Sequence, residues 1–106
     1  MKRETKLDRN GYAPSLLQPD TSYCFFCKRR DRKLDRHELW GGAYRDKSKA
    51  TGMWVMLCHE DCHQGRNGVH QNPAKAHELR QLGQMALMAN GWTVDDVRRQ
   101  FGRNYL

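Results

Sequence analysis

The chain has 106 residues, the size of one small domain. Lys and Arg number 19 against 12 Asp and Glu, a formal net charge of +7. Leu, Val and Phe supply only 17 residues and Ile is absent, a thin aliphatic core for a folded domain unless a metal or disulfides tie it together. No segment approaches the roughly 18 apolar residues of a membrane span, and the N-terminus leads into no apolar signal segment. The expectation is an intracellular, cytoplasmic protein whose four cysteines stay reduced and bind metal.

Residues 1–20 lack hydrophobic periodicity and contain Pro14 and Pro19. They read as an N-terminal arm, with Leu16 and Leu17 available to pack on a single domain over 21–106. Cys24-Phe25-Phe26-Cys27 reads as a tight knuckle. Residues 33–40 suggest a first strand, broken by Gly41-Gly42, and the polar stretch Ala43 to Gly52 reads as a loop. Met53 to Leu57 is a short apolar run and suggests a second strand. Past the Cys- and His-rich segment that ends at His70, Asn72-Pro73 signals a helix start, and a helix is predicted over 73–90. Leu79, Leu82, Ala86 and Ala89 mark its expected buried stripe, and Asn90-Gly91 its end. A second helix is predicted over 94–101, capped by Thr93 with Asp96 and stopped by Gly102. Val94, Val97 and Phe101 line its inner side.

Cys24-x-x-Cys27 and Cys58-x-x-x-Cys62 both have the spacing of zinc-ligand pairs. Together they predict one structural Zn²⁺ held by four thiolates, with the hairpin enclosed in the 30 residues between the pairs. His59 or His63 is an alternative to one of the sulfurs. A saturated four-sulfur site has no open position and holds the fold without chemistry.

His37, His63 and His70 stand in register with this framework, whereas His77 reads as surface. A His-Glu dipeptide closes the first strand, and the second leads into Leu57-Cys58-His59-Glu60-Asp61-Cys62-His63. This arrangement resembles the zinc-containing branch of the HNH endonucleases, the ββα-metal fold. Residues 23–72 carry the likeness. A narrower similarity, to small phage-type proteins, adds His37-Glu38-Leu39-Trp40-Gly41-Gly42, Arg45, Ser48, Gly68-Val69-His70 and the ending Phe101 to Leu106. The resemblance implies an α+β fold: a zinc-bound hairpin-helix module followed by two C-terminal helices. It also implies metal-dependent hydrolysis of phosphodiester bonds in DNA, by a histidine base and a Mg²⁺ or other divalent ion separate from the zinc.

In one register His37 is the general base and Arg36 takes a ligand position. In the other His37 is a ligand and Glu38 the base. Asp35, His63, Asn67 and His70 are the candidate ligands of the second ion. Asp35 shares a strand face with His37. The family's middle Asn is replaced, since Met53 and Trp54 stand roughly nine or ten residues before His63. Lys28, Arg29, Arg30, Arg32, Lys33 and Arg36 form a basic cluster which, with Arg45, is the expected nucleic-acid contact. The competing reading is a non-catalytic zinc module that binds nucleic acid through this cluster and carries a degenerate HNH site. A protein-docking zinc module using the two C-terminal helices is disfavoured by the charge of +7.

Overall fold

The computed structural model describes residues 6–106; the first five residues of the expected arm lie outside them. Two antiparallel strands, β1 (Leu34–Glu38) and β2 (Trp54–Cys58), pair with Leu34 opposite Cys58 and Glu38 opposite Trp54. A short 3₁₀ turn (Gly42–Tyr44) and helix α1 (Arg45–Ala50) join them. A single π-helical turn, His59–His63, follows β2. Helices α2 (Pro73–Ala89) and α3 (Val94–Phe101) complete an α+β fold. Among the described residues no helix is long and apolar enough to cross a membrane.

Alternation along β1 divides the hairpin into two working faces. Arg36 and Glu38 point to the side of Trp54, where the N-terminal segment lies. That segment covers the free edge of β2, which would otherwise expose unpaired backbone groups. The Ser15 hydroxyl donates to the Trp54 carbonyl (2.6 Å), the Met56 N–H donates to Gln18 Oε1 (2.8 Å), and the Phe25 N–H donates to the Met56 carbonyl (2.8 Å). Trp54 Nε1 donates to the Ala13 carbonyl at 2.7 Å. Asp35 and His37 point to the opposite side, with the buried Val55 and Leu57.

The stretch 43–52 is therefore not the loop that its polarity suggests. Arg-Asp-Lys-Ser-Lys-Ala has no apolar stripe, yet it is helical because one buried hydroxyl ties it to the hairpin. Ser48 Oγ donates to the Met53 carbonyl (2.6 Å) and accepts the Trp40 N–H (3.2 Å). The strands are also shorter than 33–40 and displaced by a residue from 53–57; Leu39, Trp40 and Met53 are buried in the core just beyond them, with the Leu39 N–H still donating to the Met53 carbonyl at 3.0 Å.

Helix α2 begins as expected: Asn72 Oδ1 accepts the N–H groups of Ala74 and Lys75, and Pro73 fills the first helical position. Its buried side is Leu79, Gly83, Gln84 and Leu87, a stripe rotated from the expected one; Ala89 is exposed. Gln84 is tolerated there because its amide is fully engaged. It accepts the Tyr105 N–H (2.8 Å) and donates to Asn104 Oδ1 (2.7 Å), tying the C-terminus to α2. Helix α3 carries a complete capping box of Thr93 and Asp96, and Gly102 takes the left-handed conformation that ends it. Phe101 stacks on Trp40 with ring centroids 4.1 Å apart, and Tyr105 meets Trp40 edge-on.

Gly83 marks the closest approach of α2 to the hairpin. A Cβ there would stand 2.6 Å from Leu39 Cδ2 and 3.0 Å from Met53 Sδ. Gly83→Ala should gain about 1 kcal/mol of helix propensity and lose about 1–3 kcal/mol to overpacking. The expected outcome is a net fall in Tm of roughly 5 °C, measured by thermal melting; an unchanged or raised Tm would show that Leu39 and Met53 move aside freely.

Candidate metal centres

Cys24, Cys27, Cys58 and Cys62 converge on one point. Their Sγ atoms all lie within 4.8 Å of one another and none forms a disulfide. Cys27 Sγ and Cys58 Sγ are 3.8 Å apart, which matches the edge of about 3.8 Å in a tetrahedron with Zn–S bonds of about 2.3 Å. Backbone amides aim at the sulfurs: Cys27 N–H at Cys24 Sγ (3.5 Å) and Cys62 N–H at Cys58 Sγ (3.3 Å). The second of these caps the π-helical turn, so the residue that ends β2 also shapes the turn that presents Cys62. Lys28, with φ at 67°, turns the chain out of the first knuckle, and Lys28 N–H donates to the Cys24 carbonyl at 2.9 Å.

The electrostatics of the four thiols suit a cation. Burial pushes Cys24 up, but hydrogen bonds from Cys27, Cys58 and Phe26 outweigh it and bring the thiol down to about 7. Burial raises Cys62 and Cys27, and their sulfur neighbours raise them further, since charge on one sulfur opposes charge on the next. A metal ion would stabilise the thiolates together and offset this mutual opposition. His59 and His63 turn away from the sulfurs, so both alternatives to a cysteine ligand lie elsewhere.

The two histidines meet Asp35. Asp35 Oδ2 is 2.5 Å from His59 Nδ1 and 2.8 Å from His63 Nδ1. Burial raises the Asp35 carboxyl, but the hydrogen bonds and charges of the two imidazoles bring it below its ordinary value. An ionised carboxylate only accepts, so His63 Nδ1 is the donor to Asp35, and in the neutral ring the lone pair is then on Nε2. That Nε2 is 2.9 Å from His70 Nε2. His37 closes the group, its ring centroid 5.2 Å from those of His63 and His70. The imidazole nitrogens of His37, His63 and His70 lie within 4.8 Å of one another. A carboxylate that fixes a histidine while its other nitrogen is left free is a common support of metal-ligating imidazoles. Two nitrogens of this kind on one ion lie on the order of 3–3.5 Å apart, so His63 and His70 fit a shared ion.

Burial, with the charges of His63, His70 and Arg80, holds His37 down at about 3. Burial and His63 also lower His70. Both imidazoles are therefore uncharged at neutral pH, with lone pairs available to a metal. The cluster opens on a cavity of about 400 Å³, lined among others by Leu39, Gly41, Val69, Ala76 and Arg80.

Glycines deliver His70 to this site. A Cβ on Gly65 would stand 2.5 Å from the Asp61 carbonyl oxygen, and one on Gly68 2.7 Å from the same atom. Only a chain without side chains there can fold back so tightly, and the Val69 N–H then bonds the Cys62 carbonyl at 2.8 Å.

Other candidates are placed apart. Glu38 and Arg36 contribute to the lining of the histidine cavity, but the Glu38 carboxylate is engaged on the far face of β1, where Tyr12 Oη and Arg45 Nε each donate to it at 2.8 Å. Asn67 lines a separate cavity with Asp61, Arg66 and Lys75. The basic cluster is largely paired: Arg29 with Asp31, Arg30 with Asp20, Arg32 with Glu60 and Asp61, Arg36 with Asp8, and Arg45 with Glu38. Arg36 also lies over the rings of Tyr12 and Trp54 at 4.1 and 4.4 Å. Lys28 donates to the Phe25 carbonyl, and Lys33 has no carboxylate partner among the described residues. Sequence reasoning offered His59 only as an alternative to a zinc-binding sulfur and did not single out Arg80. His59 shares Asp35 with His63, a meeting that depends on the strand register and on the π-helical turn. Arg80 reaches the cavity from α2.

No protein-family model, curated protein or solved structure matches the chain.

The four-sulfur group should bind one Zn²⁺ per chain, and folding should depend on it. Cys58→Ser removes both a ligand and the cap of the π-helical turn. Metal analysis should then show less than one equivalent of zinc, and calorimetry should show loss of most of the cooperative melt. A wild-type protein that melts unchanged after strong chelation would overturn this.

Proposed function

We propose that the chain is a metal-dependent endonuclease of the HNH type, hydrolysing phosphodiester bonds in DNA. The observation that carries this reading is the pairing of a closed four-sulfur group with an open group of three imidazoles, joined through the adjacent residues Cys62 and His63. Closed sulfur sites hold folds, whereas imidazole sites with free positions take water and substrate. The net charge of +7 favours a polyanionic substrate.

In this reading His63 and His70 would hold a divalent ion through their Nε2 atoms, a donor set that suits ions such as Ni²⁺ better than the oxygen-seeking Mg²⁺. Asp35 keeps the His63 proton on Nδ1, so that Nε2 remains a ligand. A bound ion supplies charge stabilisation at the phosphoryl oxygens and the leaving oxygen. His37, uncharged and beside both ligands, is placed to take the proton of the attacking water; its low basicity would rise once an anionic phosphate offsets the positive charges around it. Glu38, occupied by Tyr12 and Arg45, fixes the N-terminal segment and α1 against β1. Among the cluster cations, Lys33 is the one best placed to meet a phosphate without first leaving a carboxylate.

Plasmid nicking in the presence of Mg²⁺, Mn²⁺ or Ni²⁺ tests the proposal. His37→Ala should lower the cleavage rate by about 10²–10⁴-fold with zinc content and melting unchanged. His63→Ala should do the same, partly restored by a higher concentration of divalent ion. Absence of cleavage with every one of the three ions would overturn the enzyme reading. Salt-sensitive DNA binding in that case would select the non-catalytic zinc module.

A further inference from the structure

We infer that Arg80 is the phosphate-holding residue of the histidine site, gripping the non-bridging oxygens of a phosphodiester whose other side faces the ion on His63 and His70. This rests on the hydrolase reading above and adds to it the residue that recognises the anion.

Arg29, Arg30, Arg32, Arg36 and Arg45 each have a carboxylate partner. Arg80 has none among the described residues. Its Nε donates to the Leu39 carbonyl at 2.9 Å, a contact that spans 41 residues of sequence. This bond holds the guanidinium by its base and leaves both Nη groups without a hydrogen-bond partner among the described residues. The side chain is half-buried and lines the same cavity as His37, His63 and His70.

A fixed guanidinium at the rim of a cation site opposes the binding of the metal alone. The two positive centres become compatible when an anion lies between them. The cavity of about 400 Å³ has room for a phosphodiester group and its flanking sugar atoms. The guanidinium fork matches two phosphoryl oxygens, a geometry that the point charge of a lysine cannot copy. The surroundings favour this role, since Leu39, Val69 and Ala76 also line the cavity and reduce competition from water.

The two effects of Arg80 have opposite signs, which makes the inference testable apart from catalysis. Zinc-loaded protein is titrated with Ni²⁺ by calorimetry, and the Ni²⁺-loaded protein is then titrated with dimethyl phosphate, an unreactive diester. Arg80→Gln should leave the Ni²⁺ affinity unchanged or tighter and weaken dimethyl phosphate about tenfold or more. Arg80→Lys keeps the charge without the fork and should weaken the diester by a smaller factor; it also carries the test if Arg80→Gln melts below the working temperature. A parallel titration with acetate should show weaker binding and a smaller change on substitution.

Equal affinity of wild type and Arg80→Gln for dimethyl phosphate would overturn the inference and leave the metal site standing. So would an Arg80→Gln protein that loses Ni²⁺ and diester affinity together, since that would make the Leu39 contact purely structural. Acetate affected as strongly as the diester would show a general anion site instead. A wild-type protein that takes up no Ni²⁺ beyond its zinc would remove the hydrolase reading first and this inference with it.

Discussion

Convergence of four sulfurs is the constraint on which the rest of the molecule depends. It brings a knuckle at residues 24–27 against a turn at residues 58–62 and closes a loop of 30 residues. Closing such a loop in an otherwise thin core removes much of the freedom of the unfolded chain. The sulfurs also act on one another: Cys24 is brought down to about 7 while Cys27 and Cys62 are held up. A metal ion removes that conflict, since it stabilises all the thiolates at once. Cys58 has a second duty, because its sulfur accepts the N–H of Cys62 and so sets the pitch of the turn.

The π-helical turn transmits this order to the histidines. Cys62 and His63 are neighbours, so fixing one sulfur fixes the adjacent imidazole. Asp35 meets His63 from the paired strand, and its position follows from the register that sets Leu34 opposite Cys58. The period of two then carries His37 to the same face and sends Arg36 and Glu38 to the other. One face of a five-residue strand thus builds the site, and the other anchors the N-terminal segment through Tyr12.

Much of this was legible in local patterns. Ligand-spaced cysteine pairs, the Asn72-Pro73 start of α2, the Thr93 and Asp96 capping box and the shared face of Asp35 and His37 all depend on residues close in sequence. Features that depend on distant partners were not. Helix α1 is polar throughout and owes its form to Ser48 bonding Trp40 and Met53. The buried stripe of α2 includes Gln84, which no hydrophobic pattern selects, because its partners Asn104 and Tyr105 lie about 20 residues away. The charge count over 28–36 overstated the free field, since most of those arginines are neutralised by Asp8, Asp20, Asp31, Glu60 and Asp61. Asp35 and His59 illustrate the same limit: a shared hydrogen bond between them needs both the register and the turn.

The two residue clusters divide the work by ligand chemistry. Thiolates are soft and hold zinc in preference to hard ions, whereas imidazoles accept a wider set and tolerate water beside them. Placing both on one turn makes the order of the second cluster depend on occupation of the first. His63 is presented correctly only when Cys62 is held, and His70 only when the glycine loop of 65–68 folds onto that same turn. A metal held by the four sulfurs would therefore support the imidazole geometry, although it would leave no position for a substrate. The charged neighbours follow the same division. The carboxylate of Asp35 stands behind the histidines, where it fixes a tautomer, and the guanidinium of Arg80 stands in front, where it faces the open cavity. In the hydrolase reading, a negative group behind and a positive group before the ligand atoms would give the site a polarity suited to an anionic molecule entering from the open side.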